Sequence, residues 1–160
     1  MMSPVARILV VEDFAAYREF IASLVNRDFR YQVIGEAEDG ENAVDKARLL
    51  KPDVVLMDIG LPKLNGLEAA RRIKALVPAP RVIFLTAQSD IDVMEEAFRL
   101  GACAFIAKTH AASHLLRALD ATFKRREASV SECNGQSVDG GKIRAAVRAA
   151  GCCQSLCILS

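Results

Sequence analysis

Acids, a hydroxyl and an ammonium close the short apolar runs of this chain. Asp58 ends the run Val54-Val55-Leu56-Met57 and is followed by Ile59-Gly60-Leu61-Pro62. Glu12 and Asp13 end an earlier run, Arg7-Ile8-Leu9-Val10-Val11. Thr86 and Lys108 end two later ones. If these runs are parallel strands of one sheet, all five side chains gather at the sheet's carboxyl edge. That set suits a divalent cation and a phosphoryl group. Mg²⁺ takes about six oxygen ligands, keeps several waters and usually accepts one or two carboxylates with phosphate oxygens. Asp13 and Asp58 can supply carboxylates directly, and Glu12 directly or through water. A strand-end carboxylate can also attack phosphorus as a nucleophile, while a cation and a lysine neutralise the transferring group. Thr86 can donate its hydroxyl to a phosphate oxygen. Without a counterion the acids are costly, since two like charges ~4 Å apart repel by about 4 kcal/mol at an effective dielectric of about 20.

Each residue also has a plainer role. Asp13 could cap a helix starting at Phe14. Thr86 could cap or close a turn, and Lys108 could be a solvated strand-end charge. Asp58 resists such a reading, because a carboxylate at the end of a buried apolar strand needs a partner. All the plain readings would have to hold together for the edge to be inert.

The elements that position these residues follow from hydrophobic periodicity. Strands are expected at Ile8–Val11, Val33–Ala37, Val54–Met57, Val82–Leu85 and Ala104–Ala107. They are short and mostly apolar throughout, as strands covered on both faces should be. Between the first two, Phe14, Tyr17, Phe20, Ile21, Leu24 and Val25 form one helical stripe. Further helices are expected over Gly40–Leu50, from Gly66 to Val77 before Pro78, over Asp90–Leu100 and over Ala111–Arg126. Strand and helix alternating in series imply an α/β fold, a doubly wound five-stranded parallel sheet with helices on both faces.

Composition narrows the setting. At 52% hydrophobic and 26% charged residues, the chain of 160 residues is globular in character. A net charge of +1 gives no general attraction to nucleic acid or membrane surfaces. No apolar run approaches the ~20 residues needed to span a bilayer. The start of the chain carries no secretory signal pattern, and the 5 cysteines are an odd number, so reduced thiols in the cytoplasm are expected. Cys152, Cys153 and Cys157 lack metal-ligand spacing, and the final Cys157-Ile158-Leu159-Ser160 matches a prenylation box by coincidence. From Glu127 the composition turns to Ser, Gly, Asn and Asp. We therefore expect one folded domain over residues 1–126 and a flexible tail over 127–160, weakly helical near Lys142–Ala150.

Several motifs fall together in one order: Ile8-Leu9-Val10-Val11-Glu12-Asp13, Val54-Val55-Leu56-Met57-Asp58-Ile59-Gly60-Leu61-Pro62, Asn65-Gly66-Leu67-Glu68, Phe84-Leu85-Thr86-Ala87 and Gly101-Ala102-Cys103-Ala104-Phe105-Ile106-Ala107-Lys108. With them the chain, from Arg7 to Arg126, resembles the receiver domain of bacterial two-component response regulators, a flavodoxin-like, CheY-like fold. The resemblance implies that Asp58 accepts a phosphoryl group from a histidine kinase or phosphotransfer protein. It implies that Asp13, Asp58 and the backbone carbonyl of Gly60 bind Mg²⁺ with help from Glu12. Thr86 and Phe105 stand at the family's switch pair, in which the hydroxyl moves toward the phosphate and the ring turns inward behind it. Output would pass through the face made by the fourth helix, last strand and last helix, to a partner the sequence does not name; a homodimer is one such assembly.

Two departures stand out. The family's lysine is commonly followed by a proline, often in a cis peptide, whereas Lys108 precedes Thr109. That feature and Gly60-Leu61-Pro62 resemble the NarL/FixJ subclass, whose receivers usually precede a helix-turn-helix. The stretch after Arg126 lacks the paired amphipathic helices of such a domain, so no DNA-binding domain is expected in this chain. Other classes fit less well. A phosphatase with an aspartate nucleophile needs a second acid two residues on, where this chain has Gly60. A flavin carrier would cradle phosphate in its first loop, where Glu12 and Asp13 would repel it. A receiver-like interaction module that is never phosphorylated remains as the alternative.

Overall fold

The protein is described here by a computed structural model over residues 4–87 and 90–128. Residues 129–160, which hold most of the expected tail, lie outside the described residues. The elements run β1 (Ala6–Val11), α1 (Ala15–Asn26), β2 (Tyr31–Ala37), α2 (Gly40–Leu50), β3 (Val54–Asp58), α3 (Gly66–Lys74), β4 (Arg81–Thr86), α4 (Ile91–Arg99), β5 (Ala104–Ala107) and α5 (Ala111–Ala128). A 3₁₀ turn, Lys108–His110, joins β5 to α5. The strands form one parallel sheet in the order β2-β1-β3-β4-β5, the doubly wound arrangement expected.

Strand periodicity divides the interior into two cores. Ile8, Val10, Val54, Leu56, Ile83, Leu85 and Ile106 point to the face covered by α1 and α5. Their neighbours Leu9, Val11, Val55, Met57, Val82, Phe84 and Phe105 point to the face covered by α2, α3 and α4. Side chains alternate sides along a strand, so a sheet buried on both faces must be apolar at every position. The apolar runs therefore end where the sheet meets solvent, and the polar strand-end residues mark its carboxyl rim.

Local chemistry sets the boundaries. Asp39 caps α2 through the Asn42 N–H at 2.8 Å, Asn65 caps α3 through Glu68 at 2.9 Å, and Asp90 caps α4 through Asp92 at 3.0 Å. α3 ends at Lys74, short of the expected Val77. Its last turn tightens to three-residue hydrogen bonds, Ala75 N–H to Arg72 O and Leu76 N–H to Ile73 O. Pro78 disfavours helical geometry at Val77, which is 93% exposed. The expected α1 stripe is narrower than its sequence pattern. Ile21, Leu24 and Val25 are buried, but Phe14 precedes the helix and is exposed, and Phe20 sits on the surface against Tyr17.

The two sides are fastened differently. At the base, the buried Tyr31 hydroxyl donates to Asp120 of α5 at 2.5 Å, and Arg30 pairs with the same carboxylate at 2.8 Å. On the opposite side α4 is tied to α3 by an exposed pair, Arg71 to Glu96 at 2.9 Å.

Candidate functional site

The rim collects every strand-end residue singled out above. β1 and β3 are adjacent, with Val11 opposite Met57, so Glu12, Asp13 and Asp58 leave the sheet side by side. Each offers a carboxylate oxygen, and these oxygens lie within 4.8 Å of one another. Glu12 is 1% exposed and Asp58 5%, while Asp13 faces solvent. Asp13 does not cap α1: the N-cap is Phe14, which makes no side-chain bond, and Glu12 accepts the Phe14 N–H at 3.3 Å. The plain role available to Asp13 is thus unused.

Lys108 is the counter-charge. Its Nζ lies 2.6 Å from Glu12 Oε2 and 3.1 Å from Asp58 Oδ2. It begins the 3₁₀ turn after β5, which is not next to β3, so the side chain reaches past β4 to the acids. Among the described residues the only cis peptide is Val77–Pro78, so Lys108 meets its partners across a trans bond to Thr109. Burial pulls the Lys108 ammonium down, but hydrogen bonds to Glu12 and Asp58 outweigh it and hold its pKa above the ordinary value. Burial pushes the Glu12 carboxyl up, opposed by the Lys108 hydrogen bond and aided by the Asp58 charge. Glu12 Oε2 has no hydrogen bond of ordinary geometry, and the ammonium is its compensation. When all three acids are ionised, one ammonium leaves an excess equal to the charge of one divalent cation. The donor set, all oxygen and all carboxylate, fits a hard cation such as Mg²⁺.

Thr86 ends β4 beside Asp58, whose register partner is the preceding Leu85. A cavity of about 280 Å³ opens between them, lined by Asp58, Gly60, Thr86, Asp90, Val93 and Lys108. Gly60 contributes its N–H to Asp58 Oδ1 at 3.3 Å. Phe105 pairs in register with Phe84, and the two rings lie 6.5 Å apart. Thr86 and Phe105 alternate onto the same face. The ring is already inward, at 5% exposure.

Two residues escaped the sequence reading. Tyr17 counted there only as a member of the apolar stripe. Its hydroxyl donates to the Lys108 carbonyl at 3.0 Å, and the Lys108 ammonium sits 5.0 Å from its ring centre. Burial, then the charges of Glu12 and Asp58, push its pKa up to about 12. Arg18 donates to the Glu12 carbonyl at 2.7 Å. A polar tip within the stripe was the available signal for Tyr17. A larger groove of about 530 Å³ between α2 and α3 contains none of the rim residues.

The family model described as the response regulator receiver domain matches residues 8–120. The chain belongs to the response regulator receiver family. This receiver is 39% identical over 119 residues to the transcriptional regulatory protein PdtaR of Mycobacterium tuberculosis, covering 74% of this chain and 57% of that one. It is 36% identical over 118 residues to the chemotaxis protein CheY of Thermotoga maritima, covering 74% and 98%. Among solved structures, a LuxR-family two-component response regulator from Aurantimonas superposes with a TM-score of 0.72 at 32% identity, covering 77% and 87%. The response regulator domain of Thermotoga maritima CheB gives 0.64 at 38%, covering 81% and 99%. The receiver spans little more than half of PdtaR, at 57%, and of the Bacillus subtilis regulator YdfI, at 55%. Among the described residues no helix is long and apolar enough to cross a membrane.

Proposed function

We propose that this receiver is a phospho-accepting switch in which Asp58 is the acceptor. The observation that carries the reading is a single ammonium bridging two buried carboxylates, Glu12 and Asp58, beside an open cavity and a third acid. An Asp58 oxygen attacks phosphorus of a phosphohistidine on a kinase or phosphotransfer protein. The P–O bond forms as the P–N bond breaks, and the electron pair leaves with the imidazole. Lys108 turns from the free carboxylate to an oxygen of the transferred group, and the Thr86 hydroxyl donates to another. Asp13, Asp58 and the Gly60 carbonyl, with Glu12 behind them, would hold Mg²⁺, which would supply charge neutralisation. Gly60 offers no side chain to move a proton, which suits a switch rather than a turnover enzyme. Phe105 lies behind Thr86 on the same face, so the hydroxyl's movement would be felt by β5, α4 and α5. The setting is cytoplasmic.

The test is intact mass after incubation with acetyl phosphate and Mg²⁺. One added phosphoryl group is expected, absent with EDTA and absent in Asp58→Asn. An unmodified wild type would favour an interaction module that is never phosphorylated. A full yield in Asp58→Asn would move the acceptor elsewhere. Thr86→Ala should still be phosphorylated but lose the response of a probe near Phe98.

A further inference from the structure

Asp13 is the exposed member of the acidic group, and the loop that carries it is held on its strand side by the Glu12 N–H to the Ala37 carbonyl at 2.9 Å and across Asp13 by a long bond from the Phe14 N–H to Glu12 Oε1 at 3.3 Å. The chain turns from β1 into α1 through Glu12, Asp13 and Phe14 alone. Arg18, one turn into α1, reaches back to that loop. Its Nη1 donates to the Glu12 carbonyl at 2.7 Å, and its Nε donates to Glu36 Oε2 at 3.0 Å. Its own N–H donates to the Phe14 carbonyl at 3.0 Å. Its side chain is 17% exposed. Glu36 lies on β2 opposite Val10 of β1, and its carbonyl accepts from Lys46 of α2. One guanidinium thus joins the helix, the end of β1 and the neighbouring strand.

We infer that Arg18 is a positioning residue for the cation site: it fixes the Glu12 carbonyl, and so the direction in which the chain leaves β1 and where Asp13 stands relative to Asp58. The inference rests on the Mg²⁺ reading above. Arg18 itself makes no ion pair with the three acids; it acts on their backbone. The planar fork holds two acceptors at a fixed angle, which an ammonium cannot do from one point. Charge-assisted bonds to a partly buried carbonyl are also stronger than neutral ones. Without Arg18 the loop samples other paths, and only a fraction of molecules presents Asp13 correctly. Apparent affinity falls by that fraction, while the bound state is unchanged once the ligand is saturating.

The experiment compares wild type, Arg18→Met, Arg18→Lys and Glu36→Gln in the full chain. Calorimetry gives the Mg²⁺ Kd, urea unfolding gives stability, and the acetyl phosphate rate is followed against Mg²⁺ concentration. For Arg18→Met we expect a Kd raised about tenfold, as when the competent fraction falls to about a tenth. The phosphorylation rate should recover at saturating Mg²⁺. Arg18→Lys and Glu36→Gln should fall between, and they carry the comparison if Arg18→Met does not fold. A purely structural arginine would lower stability without moving the Kd, so variants that bind Mg²⁺ within about twofold of wild type overturn the inference. A rate equally depressed at every Mg²⁺ concentration overturns it too. A wild type that takes up no Mg²⁺ overturns the parent reading and this one with it.

Discussion

Replacing Lys108 by methionine keeps all but the last atom of the side chain's length and removes its charge. Glu12 Oε2, in a residue 1% exposed, then loses the group 2.6 Å away that compensates it. Breaking a buried pair in this way costs about 3–5 kcal/mol when the remaining charge stays unpaired. Glu12 has a way out, which is to bind a proton, and that sets a ceiling. From the ordinary value of 4.5, neutralising the carboxyl at about pH 7.5 costs about 4 kcal/mol, and at about pH 5.5 only about 1.4 kcal/mol. We expect a loss of about 2–4 kcal/mol at the higher pH and no more than about 1.4 kcal/mol from Glu12 at the lower. The sign follows from the direction of the shift. The folded Glu12 pKa lies above its unfolded value, so its proton stabilises the fold below that pKa and the benefit is lost as pH rises through it. Removing Lys108 removes a lowering influence and steepens that loss. Lys108's own pKa lies above 10.5, so its contribution is fully present below about pH 10.5 and is constant across this comparison. Urea unfolding in EDTA at both pH values measures the difference, and Glu12→Gln added to Lys108→Met should restore most of it. Equal losses at both pH values, or a loss under about 0.5 kcal/mol at pH ~7.5, would refute the view that Lys108 neutralises a buried carboxylate.

Four further outcomes follow from the same structure. Millimolar Mg²⁺ should raise the wild-type Tm by mass action, and Asp13→Ala should abolish the rise; an unchanged wild-type Tm contradicts the cation site. Gly66→Ala would place a Cβ 2.0 Å from the Asp58 carbonyl oxygen and 2.8 Å from Ile59 Cα, so urea unfolding should show a loss above about 3 kcal/mol, and a loss under about 1 kcal/mol would mean that the loop yields. Tyr17 is pushed up to about 12, and Tyr31 is raised by burial and then by its bond to Asp120. Both favour the neutral phenol when folded, so stability falls as pH rises above about 10; absorbance at about 295 nm should show almost no phenolate at about pH 10.5 in the native protein, and half-ionised tyrosine there contradicts the packing. A chain ending at Ala128 should keep its Tm within a few degrees of the full chain, because the residues beyond carry few large apolar side chains, and a large drop would show that they pack on the domain.

The fold was legible because burial on both sheet faces leaves an unmistakable pattern. The runs Ile8–Val11, Val54–Met57, Val82–Leu85 and Ala104–Ala107 are apolar throughout, and the first polar residue after each marks the rim; only the edge strand β2, with Gln32 and Glu36, breaks the pattern. Asp58, Glu12, Asp13, Thr86 and Lys108 accordingly stand at that rim. Contacts between distant segments were not legible. Tyr17 meets Lys108 across 91 residues, and no spacing encodes that. Arg18 reads in sequence as an ordinary helix-surface cation, because its acceptor is a backbone carbonyl common to every residue type. Phe14 and Phe20 misled because an amphipathic stripe gives the direction of a helix face, not its width or its first residue. The end of α3 moved because Pro78 acts on the residues before it.

The unequal fastening of the two cores gives the molecule a stiff wall and a compliant one. The α5 wall is pinned by the buried Tyr31 hydroxyl on Asp120, with Arg30, 49% exposed, on the same carboxylate, itself 30% exposed. The α4 wall is tied to its neighbour by Arg71, 56% exposed, and Glu96, 34% exposed, and salt screens such pairs within about a Debye length of ~8 Å at physiological ionic strength. Ionic strength therefore weakens the whole of the α4 tie but only the Arg30 part of the α5 one, where the Tyr31 bond remains. Strain arising at the rim would be released toward α4, and more readily in concentrated salt, while the α1–α5 side keeps its shape as the fixed frame against which that movement is made.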